Sequence, residues 1–360
     1  MSDGQGAQAP GPVSKCPLSA SPLAPRTARC APQRAVCADR EDYTPAVTAT
    51  VPVPRTETPA GVLGLADVGR DDRSLRRFLH GLPPVDEAGL ERRSAWLAGR
   101  RVAPSAERQV LDLAVSMVDL TTLEGADTPG RVRALCAQAR RPDPVDPDVP
   151  SVAAVCVYPD LAAVAAGALG GSPVGIAAVA TAFPSGRASL PVKLADTALA
   201  LDGGATEIDM VIDRGAWLAG RYGQVHDEIV AVRELVDGRA HLKVILETGE
   251  LPGYDDVRRA AWLALLAGAD VVKTSTGKTS PAATLPVVQV LLQAVRDWYR
   301  TTGERRGVKA AGGIRRAQDA VRHLVAVREV AGPEWLTPAL FRFGASSLLD
   351  DLLRRRRTAR

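Results

Sequence analysis

From about residue 115 the chain settles into a rhythm that few folds can use: short β-rich runs alternate with longer amphipathic segments. The runs are Ser116–Leu120, Val152–Val157, Val174–Ala180, Glu207–Ile212, Leu242–Leu246, Ala269–Lys273, Gly307–Ala310 and Leu340–Phe343. Between them, Asp227–Val236 (apolar at Ile229, Val230, Val232, Leu235 and Val236) and Asp256–Leu266 read as helices. Strands that alternate with helical crossovers pair in parallel. Eight of them over roughly 240 residues predict a closed (β/α)8 TIM barrel of class α/β. A doubly wound open sheet is the alternative. No G-x-G-x-x-G turn follows the first run, which counts against it.

The remainder of the chain divides around that rhythm. Residues 71–116 read as an N-terminal helical extension, with apolar Leu75, Phe78, Leu79, Val110, Leu111, Ala114 and Val115. Residues 1–60 hold ten of the 27 prolines and three of the five cysteines. Proline this dense breaks regular structure, so a disordered leader is expected over 1–70. The barrel domain with its leading helices is expected over 71–353, and an Arg-rich, solvated, flexible tail over 354–360.

Charge and cysteine usage remove several classes. The net charge is +4, yet residues 61–353 carry 34 basic against 36 acidic side chains; the excess sits in the leader and tail. No nucleic-acid partner is expected from so even a mixture. No apolar run reaches about eighteen residues, and the opening segment lacks a signal-peptide core. Cys16, Cys30, Cys37, Cys136 and Cys156 form no C-x-x-C pair, and the four histidines are scattered. A cytoplasmic protein without metal or cofactor is expected. Trp96, Trp217, Trp262, Trp298 and Trp335 read as packing residues.

Alternate residues of a barrel strand face its interior. With Ile208, Met210 and Ile212 turned to the helices, Asp209 points inward; Lys243, Lys273 and Lys309 follow by the same logic. Grouping buried ammonium groups is costly without partners, so stability does not explain them. Crowding and burial favour a neutral amine, which attacks carbonyls and forms a Schiff base. Two Gly-bearing turns follow the last strands: Gly312-Gly313, and Gly344 through Ser346-Ser347 into a helix over Ser347–Leu353. Such turns let backbone N–H groups approach a phosphate. Ser346 and Ser347 could donate to it or cap the helix.

Taken together, several segments resemble the deoxyribose-phosphate aldolase family over residues 85–353. They are Val118–Leu123, Ala154–Pro159, Phe183–Gly186, Glu207–Val211, Leu242–Leu251, Val272–Lys278, Lys309–Gly313 and Phe343–Ser347. The resemblance implies a metal-free class I aldolase that converts 2-deoxy-D-ribose 5-phosphate to acetaldehyde and D-glyceraldehyde 3-phosphate. It implies Lys273 as the Schiff-base lysine, Lys309 as the lysine that perturbs it, and Asp209 as the acid/base carboxylate. Lys243 matches a further site lysine. On this reading Gly312, Gly313, Gly344, Ser346 and Ser347 anchor the phosphate, while Asp119, Thr276 and Lys278 position hydroxyls. Cys156 reads as a small buried residue near the site. A homodimer is a family expectation. The sequence departs from the family at Ala310, at Ala182, and in having no tyrosine after Tyr299. The alternatives are a Schiff-base aldolase for a different sugar phosphate and a non-catalytic sugar-phosphate-binding barrel.

Overall fold

Eight strands pair in sequence order, all parallel, and β8 returns to β1 to close the barrel. The structure, a computed structural model, describes residues 65–359. The strands are β1 (Val118–Thr121), β2 (Ala154–Val157), β3 (Gly175–Ala180), β4 (Glu207–Val211), β5 (His241–Ile245), β6 (Val271–Lys273), β7 (Gly307–Ala311) and β8 (Phe341–Ala345). The first begins two residues later than the sequence suggests. Ser116 still belongs to the preceding helix, where its hydroxyl donates to the Leu113 carbonyl.

Helices α1 (Leu65–Val68), α2 (Asp72–Gly81), α3 (Glu87–Gly99) and α4 (Pro104–Ser116) precede the barrel. Within it follow α5 (Pro129–Arg140), α6 (Ala162–Leu169), α7 (Leu190–Asp202), α8 (Arg214–Leu218), α9 (Tyr222–Val236), α10 (Tyr254–Leu266), α11 (Leu285–Thr302), α12 (Ala317–Val330) and α13 (Leu348–Thr358). Asp71 starts α2 by accepting from the Ser74 N–H at 2.7 Å, and Asp86 starts α3 from Gly89 at 2.9 Å. The leading helices clasp the outer ring: α2 lies on α9 and α10, α3 on α11 and α12, α4 on α12 and α13. Their buried Leu75, Leu79, Leu90, Leu97 and Leu111 share the core between strands and helices. Each such side chain contributes roughly 1.5–3 kcal/mol when fully buried.

Three expectations are corrected. The leader was expected to run to residue 70, but Leu65–Val68 form a helical turn with Val68 buried; residues 1–64 lie outside the described residues. The Arg-rich end was expected to be a flexible tail from 354, yet α13 continues through it. Buried Leu348, Leu349, Leu352 and Leu353 anchor the helix, and basic residues suit its C-terminal end. Arg355 meets Glu107 at 2.6 Å, Arg356 meets Asp146 at 2.6 Å and also Asp112, and Arg357 meets Asp143 at 2.9 Å. Trp96 is not a core residue: it is 55% exposed, with the Arg100 guanidinium 4.8 Å from its ring.

Candidate active site

The packing between strands and helices decides which side chains enter the barrel. Val118 and Leu120, Ile208 and Met210, Leu242 and Val244, Val272, Val308 and Ala310, and Phe341 and Phe343 all join the outer core. Alternation therefore turns Asp119, Glu207, Asp209, Lys243, Lys273, Lys309 and Arg342 inward. Strand register sets Asp209 opposite Lys243, and Lys273, Lys309 and Arg342 side by side.

These seven groups form one network. Asp209 Oδ2 accepts from Lys273 Nζ and from Lys309 Nζ, each at 2.7 Å, and its Oδ1 accepts from Lys243 at 2.9 Å. Lys243 also donates to Glu207, and Lys309 Nζ lies 2.5 Å from Asp119 Oδ2. Arg342 closes the floor, donating to Asp119 Oδ1 at 2.6 Å and to Glu207 Oε1 at 2.9 Å. The sequence reading placed one carboxylate among three lysines here. The barrel holds three carboxylates and four cations instead, because Glu207 shares the face of Asp209 and Arg342 sits between two outward phenylalanines. Both were readable from the alternation that located Asp209.

The protonation balance follows from these contacts. Burial alone would raise the Asp209 carboxyl; Lys243, Lys273 and Lys309 outweigh it and hold it well below the carboxylate range. Asp119 is lowered against its own burial by Lys309, Arg342 and Lys243. Burial pulls every ammonium down, but Asp119 and Asp209 lift Lys309 above its ordinary value, and Asp209, Glu207 and Asp119 lift Lys243. Lys273 goes the other way. Burial lowers it, Asp209 offsets this only in part, and the neighbouring Lys309 charge adds to the fall. Of the three interior lysines, Lys273 alone is held below its ordinary value.

Opposite the charges stands an apolar wall of Leu123, Cys156, Ala177 and Val179, backed by Tyr158 and Phe183. Burial raises the Cys156 thiol, so it stays protonated. A cavity of about 470 Å3 continues from Tyr158, Val179 and Phe183 outward over α7. At the departure from the family pattern, the Ala182 N–H is held by Asp196 at 3.1 Å.

The mouth contains the remaining expected residues. Gly312 and Gly313 adopt φ of 90° and 83°. A Cβ on Gly344 would come within 2.7 Å of the Ala311 Cβ and 3.0 Å of the Lys309 Cε, so only glycine fits there. Among the described residues, no protein acceptor takes the backbone N–H of Gly313, Ser346 or Ser347. Ser346 and Ser347 are exposed, and the Ser347 side chain does not cap α13. These groups can cradle an anion at a helix N-terminus. Thr276 is tied down: its hydroxyl donates to Glu247 Oε2 at 2.6 Å, and Arg214 holds the same carboxylate at 3.0 Å. Lys278 pairs across the mouth with Glu124 at 3.0 Å. The sequence reading did not single out Glu124 or Glu247.

Comparison with known proteins finds relatives that cover the whole barrel. The family model described as DeoC/LacD family aldolase matches residues 113–354. Deoxyribose-phosphate aldolase of Mus musculus is 43% identical over 281 residues, covering 75% of this chain and 88% of the relative. The Homo sapiens enzyme of that name is 42% identical over 282 residues, with the same coverage. Among solved structures, the tetrameric deoxyribose phosphate aldolase from Aeropyrum pernix superposes with a TM-score of 0.55 at 27% identity, covering 76% of this chain and 99% of that one.

Proposed function

The chain belongs to the DeoC/LacD aldolase family, and on that premise we propose that it cleaves 2-deoxy-D-ribose 5-phosphate reversibly to acetaldehyde and D-glyceraldehyde 3-phosphate. The observation that carries this reading is the single carboxylate oxygen of Asp209 shared by Lys273 and Lys309 at 2.7 Å each.

The neutral Lys273 amine attacks C1 of the open-chain sugar, and loss of water leaves an iminium. Asp209, directly or through a water, removes the proton of the C3 hydroxyl. The C2–C3 bond then breaks, its electron pair passes to the iminium as an enamine, and glyceraldehyde 3-phosphate leaves. Return of a proton to C2 and hydrolysis of the iminium free acetaldehyde and the amine. Lys309 stays charged and keeps Asp209 ionised and oriented. Gly312, Gly313, Gly344, Ser346 and Ser347 anchor the phosphate, which holds the reacting bond over Lys273. Asp119 and Lys243 support the floor; Thr276 and Lys278 shape the mouth. The catalytic domain includes the leading helices. No helix among the described residues is long and apolar enough to cross a membrane. A cytoplasmic location and a homodimer complete the proposal.

The test is chemical. After incubation with acetaldehyde and borohydride, mass mapping should find a two-carbon adduct on Lys273, absent in Lys273→Leu. An adduct confined to surface lysines overturns the mechanism. Turnover of fructose 1,6-bisphosphate but not of deoxyribose 5-phosphate overturns the substrate.

A further inference from the structure

Asp119 and Glu207 bring two more carboxylates into the interior than Lys273 chemistry needs, and both stand within reach of the other two lysines. Left alone, they would draw Lys309 and Lys243 away from Asp209. Asp209, which already accepts from Lys273 at 2.7 Å, would then serve that lysine alone and favour its ammonium form. Something must occupy the spare carboxylate oxygens. Arg342 does: one nitrogen takes Asp119 Oδ1, the other takes Glu207 Oε1, and the first also lies 3.3 Å from Glu207 Oε2. Its planar fork suits two carboxylates at once. β8 presents it in register with Lys309, which is itself in register with Lys273.

We infer that Arg342 is a positioning residue which, with Glu207 as its counterweight, keeps Lys309 shared between Asp119 and Asp209 and so leaves the Lys273 amine free to react. The inference rests on the proposed Schiff-base chemistry of Lys273. The charged and titratable groups around that amine are Asp119 (β1), Cys156 (β2), Glu207 and Asp209 (β4), Lys243 (β5), Lys309 (β7) and Arg342 (β8); β3 contributes only Ala177 and Val179. Removing a cation from this set favours the ammonium form of Lys273. Removing a carboxylate favours the neutral form. The two changes therefore push in opposite directions, which no merely structural role would do.

The experiment follows the rate of borohydride-trapped adduct formation with acetaldehyde as a function of pH. Acetaldehyde carries no phosphate, so the acid limb reports the enzyme alone. Arg342→Met should move that limb to higher pH, and Glu207→Gln to lower pH, each on the order of half to one pH unit for a charge several ångströms away in a partly polar interior. On the limb itself this is roughly a three- to tenfold change in rate, opposite in sign. Arg342→Met/Glu207→Gln should return the limb close to its original position. Arg342→Lys keeps the charge without the fork and should shift it less than Met. Circular dichroism sorts out a variant that does not fold, and Glu207→Gln, which preserves shape, still decides the sign. Shifts in the same direction, or none in a folded variant, overturn the inference. Absence of any Lys273 adduct in the unmodified enzyme overturns the underlying mechanism instead.

Discussion

Lys193 and Lys309 are both sealed from solvent, and both sit against carboxylates. Lys193 on α7 meets Glu228 on α9 at 2.6 Å, one ammonium with one carboxylate, while Gln224 donates to the other oxygen of Glu228. In the barrel, four cations share three carboxylates, and Lys273 has only an oxygen that Lys309 already holds. Burial is common to both places, so burial does not make a lysine reactive. The difference lies in the supply of carboxylate oxygens. A one-to-one pair locks two helices together; a surplus of cations leaves one amine without a partner of its own.

The strongest way to break this contrast is to remove the shared carboxylate. Asp209→Asn should lower turnover of deoxyribose 5-phosphate by about 10²–10⁴-fold, the usual loss for an acid/base group. Lys273 should still be trapped by borohydride. With its only carboxylate contact neutralised, its acid limb should move to lower pH. Steady-state rates and the trapping profile together check this. Full turnover in Asp209→Asn would mean that the base lies elsewhere.

Lys193 gives the opposite result if the comparison holds. Lys193→Met strands Glu228 in a buried site, and breaking such a pair costs about 3–5 kcal/mol. Denaturant unfolding should show that loss in the midpoint. The acid limb of Lys273 trapping should stay where it is. A shifted limb would mean that the helical layer and the barrel interior are electrostatically one unit.

Much of this arrangement is legible in the amino-acid sequence. Period-two alternation places Asp209, Lys243, Lys273 and Lys309 inside, because a strand has only two faces and the apolar set claims the outer one. The same rule reaches Glu207 and Arg342, but a charged residue at a strand's first position or between phenylalanines is easily read as an end or an edge. The docking of α13 was not legible. An arginine run reads as solvated until its partners are known, and those partners, Glu107, Asp112, Asp143 and Asp146, come from elsewhere in the chain. Trp96 failed for a related reason: helical context does not say which face a residue occupies.

The smallest expected effect belongs to the mouth, where charge pairing is exposed rather than buried. Glu124 follows β1 and Lys278 follows β6, strands that are not neighbours, so their 3.0 Å contact reaches across the opening above the glycine turns. Its side chains are 59% and 34% exposed. A pair this wet is worth about 0–1 kcal/mol, so a substrate can displace it readily. If the phosphate binds at the glycine turns as proposed, Glu124 sets a negative charge at the same mouth and holds Lys278. Glu124→Gln should therefore lower KM for deoxyribose 5-phosphate about two- to threefold, within the range such a pair allows. The gain should shrink at high salt. KM for 2-deoxyribose, which lacks the phosphate, should not change, and neither should kcat for either substrate. Equal changes for both sugars would place Glu124 in sugar positioning rather than in charge selection, and an unchanged KM for the phosphate ester would show that the contact across the mouth does not compete with substrate at all.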